Sequence, residues 1–225
     1  MLAAGIQAVA DEPWVRWDWV GRHLREILAA FAEHIELTVI AVAVGFLIAA
    51  PLGLLAARRQ RVRDPILSLA GIMYTIPSLS LFAMLVPFTG LSVLTSEIGL
   101  VSYTLLILIR NIVVGLDAVP QDVLEAARGM GYRRRALLLQ IEIPMATPVI
   151  LAGVRIATVT TIGLVTVTAL IGQGGVGRLI LDGLIRDFRT ELVIGSVLAI
   201  TLALVADFAL AALQRLLTPW ARREA

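Results

Sequence analysis

The side chains able to do covalent chemistry are few, and they are not gathered. The chain has no cysteine, which removes disulfides, thiolate metal sites and thiol catalysis. Its two histidines, His23 and His34, stand alone and read as surface groups near a membrane interface. Arg110, Arg155 and Asp207 interrupt apolar runs about two turns from their ends, ~10 Å at 1.5 Å per residue. No Ser/His/Asp set or metal-ligand spacing accompanies them. Charges at that depth pair or extend to the headgroups, so either Arg155 meets Asp207 or both snorkel. Gly172, Gly174, Gly175 and Gly177 could bring a backbone close to a phosphate, but the stretch follows an apolar span. The strand–turn–helix context of a nucleotide loop is missing, and it reads as a flexible outer loop. Catalytic residues, a metal site and a bound cofactor are not expected.

A mechanical task is legible between Asp117 and Pro144. Pro120 suits a first helical position, where its missing N–H would be unpaired anyway. Asp122 favours the positive end of the helix dipole. Glu125, Ala126 and Ala127 continue that helix, and Gly131 can take the left-handed conformation that ends it. A second helix, apolar from Ala136 to Ile143 except for Gln140 and Glu142, is expected to stop at Pro144. The sum is a short helix, a sharp turn and a second helix, with small Ala126 and Ala127 able to seat in a groove and charged Glu125 and Arg128 at its rim.

The elements that must carry this segment are membrane spans. Of 225 residues 59% are hydrophobic and 16% charged, against roughly a quarter charged in soluble domains. A spanning helix needs about 20 mostly apolar residues. Leu37–Ala57, Ile66–Phe88 with a kink at Pro77, Ile98–Leu116, Thr147–Ile171 and Leu192–Leu213 give five. Tyr74, Thr75, Pro77, Ser78 and Ser80 put polar groups and a proline in one span; they line a pathway or pack small residues against a neighbouring helix. Before the first span, Trp17, Val20, Leu24, Ile27, Leu28 and Phe31 recur at helical spacing, with charges mostly opposite. That pattern suits an interfacial amphipathic helix; a poorly formed sixth span would bury four charges. Met1 to Glu12 lacks the basic region of a signal peptide. Eleven arginines fall in one set of loops and the C-terminal tail (Arg58, Arg59, Arg61, Arg63, Arg128, Arg133, Arg134, Arg135, Arg215, Arg222, Arg223), against six on the other side. The richer side is expected to be cytoplasmic, with the N-terminus outside and the C-terminus inside. A net charge of +2 gives no reason to expect nucleic-acid binding.

Glu125-Ala126-Ala127, three residues, Gly131, nine residues, then Ile141-Glu142-Ile143-Pro144 resembles the EAA loop of ATP-binding-cassette (ABC) importer permeases, with Ile143 where that family has leucine. The resemblance runs from about His34 to Gln214. Within the family it is similar to the glycine betaine/carnitine/choline osmoprotectant subfamily through His34 to Thr38, Thr75 to Leu79, Ile150 to Ala157 and Leu170 to Gly177. It implies an all-α membrane protein of the MetI-like permease fold. The expected organisation is an N-terminal tail and interfacial helix over 1–33, a permease domain over 34–214 and a cytoplasmic tail over 215–225. It also implies a cytoplasmic coupling helix, a second permease (a copy or a paralogue), a cytoplasmic ATPase that uses the ATP, an extracytoplasmic solute-binding protein and a bacterial plasma membrane location. Methionine importers share the glycine-rich stretch, so methionine or another small nutrient is the alternative solute. A membrane-embedded enzyme or a structural membrane protein is the more remote alternative.

Overall fold

The computed structural model describes residues 13–222, so the expectations for Met1 to Glu12 and for the end of the C-terminal tail lie outside it. A short helix α1 (Trp17–Arg22) is followed by α2 (Leu24–Arg58), α3 (Gln60–Thr75), α4 (Ser78–Thr89) and α5 (Val93–Asp117). Two small helices come next, α6 (Gln121–Gly129) and α7 (Arg134–Leu137). A π turn (Leu138–Glu142) leads into α8 (Ile143–Val167), and a 3₁₀ turn (Thr168–Ile171), α9 (Val176–Ile185) and α10 (Arg189–Leu217) complete the bundle. The described residues contain no strand. Among the described residues four helical stretches are long and apolar enough to cross a membrane: α2, α5, α7 through the 3₁₀ turn, and α10. The pair α3 and α4 passes the same test together but is bent by 94°.

Helix α5 is the centre, packed against α2, α8, α3 and α4. The approach of α2 is set by small residues: Ala41, Gly45, Ala49, Gly53 and Ala56 are all buried at three- or four-residue spacing. A Cβ on Gly45 would stand 1.9 Å from Thr104 Oγ1, and one on Gly53 would stand 2.7 Å from Ile112 Cγ2. Without a hydrophobic drive between helices in lipid, such close backbone packing is what holds spans together. Two apolar clusters fill the bundle, one around Leu108, Ile109, Ile112 and Ala157, the other around Leu37, Phe82, Leu100 and Val165.

The first span departs from the expected interfacial helix plus separate crossing. Helix α2 runs 35 residues without a break, ~52 Å at 1.5 Å per residue, so the Leu24–Phe31 pattern is its first two turns. Its buried stripe (Ile27, Ala30, His34, Leu37, Thr38) is continuous with the core, which fixes one axis for both parts. His34, expected at the surface, is fully buried. Its Nε2–H donates to the Ile162 carbonyl at 3.0 Å, and that bond tethers α2 to α8. The kink expected at Pro77 is instead a sharp corner: Ile76 and Pro77 are both extended. A backbone carbonyl freed by such a break must be satisfied from a neighbour, and Tyr103 Oη–H of α5 donates to the Ile76 carbonyl. Tyr74 stacks edge-on against the same ring at 5.7 Å.

Gly172 to Gly177 is a packed corner rather than a flexible loop. Gly172, Gly174 and Gly175 all have positive φ. Added Cβ atoms would lie 2.5 Å from the Ala169 nitrogen at Gly174, and 2.5 Å from the Ala30 carbonyl oxygen at Gly175. Glu33 of α2 accepts from the Gly175 N–H at 3.2 Å and pairs with Arg178. Gly174, Gly175 and Gly177 are therefore buried, and Gly172 alone of the four is exposed. Helix α9, which follows, was not foreseen.

Candidate functional site: the α6–α7 elbow

The elbow is built on a small core of its own. Val119, Leu124, Ala127 and Leu137 are buried together, with Ile141 packed on them. That core exists because α6 is amphipathic: Leu124 and Ala127 point in, while Glu125, Ala126 and Arg128 are exposed. Pro120 is the N-cap rather than the first helical residue. Asp122 stands in the first turn and Arg128 in the last, each complementing the dipole end it occupies. The chain then reverses at Gly131, φ +87°, where the Gly131 N–H donates to the Arg128 carbonyl at 2.9 Å and the Tyr132 N–H to the Ala127 carbonyl at 3.1 Å. A β-carbon would be strained at that φ.

Beyond Gly131 the structure differs from expectation. Pro144 does not stop the second helix; it lies in the first turn of α8, where a proline without N–H is tolerated. The π turn just before it passes the Ile143 N–H to the Leu138 carbonyl. Helices α7 and α8 thus form one apolar stretch, Arg134–Ile171. The tight turn at 130–133 is all that separates α6 from this membrane-scale helix. Ile143 is 38% exposed and points away from the elbow's core.

Two ion pairs stand at this end of the bundle, and the first of them fastens the elbow to it. Glu142 is almost wholly buried and pairs with Arg58 at the end of α2, while Arg63 at the start of α3 meets Asp117 at the end of α5 at 2.7 Å. Both were missed in the sequence. The available signal was Glu142 itself, a lone carboxylate in the apolar run Ala136 to Ile143.

Inside the spans, Arg155 Nε donates to Asp207 Oδ1 at 3.0 Å and Nη2 to Oδ2 at 2.9 Å. This two-pronged geometry is the strong form of such a pair. Gln214 extends the network, its Nε2–H donating to the Pro148 carbonyl at 3.0 Å. The pair binds α8 to α10 beside a groove of about 480 Å³. Arg110 is exposed on α5. Tyr74, Thr75, Pro77 and Ser80 are exposed around the corner, with Ser78 half-buried; this group is remote in sequence from the elbow. Among the described residues no group of three or more His, Asp or Glu could hold a metal ion.

An exposed amphipathic helix, α6, thus stands one turn away from an apolar helical stretch long enough to cross a membrane. Residues 49–223 match the family described as binding-protein-dependent transport system inner membrane component, and the chain belongs to that family. It is accordingly a permease, not an enzyme. Similar proteins include the carnitine transport permease protein OpuCB of Listeria monocytogenes, 37% identical over 86% of this chain and 88% of that one. The choline transport system permease protein OpuBB of Bacillus subtilis (strain 168) is 36% identical over 86% and 89%. The osmoprotectant import permease protein OsmW of Salmonella typhimurium is 38% identical over 83% and 89%. Among solved structures, the inward-facing MetNI methionine ABC transporter superposes with TM-score 0.80 at 21% identity, covering 88% of this chain and 98% of that one. That likeness establishes the MetI-like fold.

Proposed function

We propose that this chain forms half of the translocation path of an ABC importer for a quaternary ammonium osmoprotectant of the glycine betaine, carnitine and choline class. The α6 tip carries the reading: Glu125 and Ala126 are presented outward while Ala127 anchors the same turn in the elbow's core. The relatives named for carnitine and choline supply the solute class. In this reading α3 and α4 make one broken span, giving five. The α6 tip is a coupling helix in a groove of a cytoplasmic ATPase, which alone uses ATP. Nucleotide-driven closure pulls the tip, and the unbroken α7–α8 stretch turns that displacement into a tilt of the bundle. A solute-loaded binding protein docks at the opposite end, and the two inputs shift an inward-open and outward-open balance. The second permease completes the path.

The corner residues Tyr74, Thr75, Pro77, Ser78 and Ser80 face that path. Single cysteines at Ser78 and Ser80 are expected to react with water-soluble reagents, and betaine or carnitine to slow the reaction; inert thiols would return the corner to a packing role. The coupling reading is tested by Gly131→Pro. Proline fixes φ near −65°, where the chain needs +87°, and removes the N–H that closes the turn. Co-purification of the ATPase with the permease should be lost while the spans stay folded; retention with full uptake would overturn the assignment. Uptake of radiolabelled betaine, carnitine, choline and methionine by the reconstituted transporter decides the solute.

A further inference from the structure

We propose that the cavity between the end of α2 and the α6–α7 elbow is a binding site for the headgroup phosphate of an anionic phospholipid. Five arginines and one carboxylate line it: Arg58, Arg59, Arg128, Arg134, Arg135 and Glu142, around about 660 Å³. Arg58 is committed to Glu142. Arg59, Arg128, Arg134 and Arg135 make no ion pair among the described residues, leaving four uncompensated positive charges facing one concavity. Like charges held this close repel, and a bound anion reverses the sign of that interaction. The rest of the lining is Leu54, Leu137 and Leu138, with Leu55 and Leu139 exposed nearby. A free anion has no use for such a floor, whereas a phospholipid needs both halves, phosphate among guanidinium groups and acyl chain along leucines. Position agrees: Leu37 to Ala57 carries no charge and the arginines begin at Arg58, which is where a span leaves hydrocarbon for headgroups. Basic pockets between spanning helices hold anionic headgroups by this chemistry. A lipid seated here would brace the elbow against α2 alongside the Arg58–Glu142 pair.

The test uses the full chain, purified in detergent both alone and in complex with its ATPase, and native mass spectrometry to count retained lipid as phosphatidylglycerol or phosphatidylcholine is titrated. Phosphatidylglycerol is expected to bind in preference. Arg59→Gln with Arg134→Gln should weaken its binding by roughly tenfold or more, on the order of what two arginines contribute beside an anionic surface. Arg61→Gln, at the same end but outside the cavity, should change it less than about twofold. Lysine at 59 and 134 should restore most of the binding, which guards against misfolding of the double variant. Equal binding of the two lipids, an equal loss in Arg61→Gln, or failure of lysine to restore binding would overturn the proposal. So would displacement by millimolar inorganic phosphate, which would make a free anion the ligand. Exclusion of lipid when the ATPase is added would assign the arginines to subunit docking. None of these results bears on the Gly131→Pro test, so the two readings fail separately.

Discussion

Arg155 and Asp207 meet through two N–H donors on facing helices, and the cost of separating them is asymmetric. Removing one partner leaves a charge without compensation, whereas replacing both with apolar groups removes the demand altogether. Asp207→Asn should therefore lower the unfolding temperature in detergent, by a stability loss on the order of 1–3 kcal/mol. The double replacement Arg155→Leu with Asp207→Leu should recover most of that loss, and a double as unstable as the sum of the singles would contradict the pairing. The glycines make a second contrast at this scale. Gly131→Ala meets no neighbouring atom and bears only the left-handed backbone, about 1–2 kcal/mol. Gly175→Ala bears the same kind of strain and also drives a methyl into the Ala30 carbonyl and His34 nitrogen. The second should impair folding yield far more than the first, measured by size-exclusion recovery. Spacing revealed Gly131 because a turn between two helices is a local event. The packing of Gly175 on α2, 142 residues from its partner Glu33, has no local signature, so the sequence of the corner reads as a loop.

Among the elements, the pair α2 and α5 shows what apolarity alone conceals. Hydropathy identifies both as spans, but it is the small-residue stripe Ala41, Gly45, Ala49, Gly53, Ala56 that sets their contact. Gly45→Val should force the helices apart or push Thr104 off its rotamer, costing about 1–3 kcal/mol. Val44→Ala, on the exposed side, should be nearly silent, and thermal unfolding in detergent would separate the two. His34 belongs to the same lesson: it falls on the buried stripe with Ile27, Ala30 and Leu37, a placement that a solitary polar residue does not announce. Pro144 is the opposite case. Proline stops a helix from its interior, not from its first turn, and a π turn upstream lets the backbone run on. Helix α9, ten residues long, is too short to register as a span and too apolar to look like a surface helix.

At the scale of the whole molecule, the fold sorts charge by end. Contacts join Arg58 to Glu142 and Arg63 to Asp117 at the elbow's end, while Glu33 meets Arg178 and Arg186 approaches Glu191 at 3.6 Å at the other. The elbow's end is the arginine-rich one, and arginine bias across short loops sets orientation. The proposed coupling to a cytoplasmic ATPase requires that same end to face inward, so two independent physical demands must agree on a single topology. The natural absence of cysteine makes this directly measurable. Met130→Cys lies beside the α6 tip at a 71% exposed position, and Leu184→Cys lies on α9 at a 68% exposed one. With the permease expressed without its ATPase, an impermeant maleimide added to intact cells should label Leu184→Cys and spare Met130→Cys, and inside-out vesicles should reverse the pattern. If Met130→Cys were labelled from outside, the α6 tip would have no nucleotide-driven partner to meet, and its shape would need another cause.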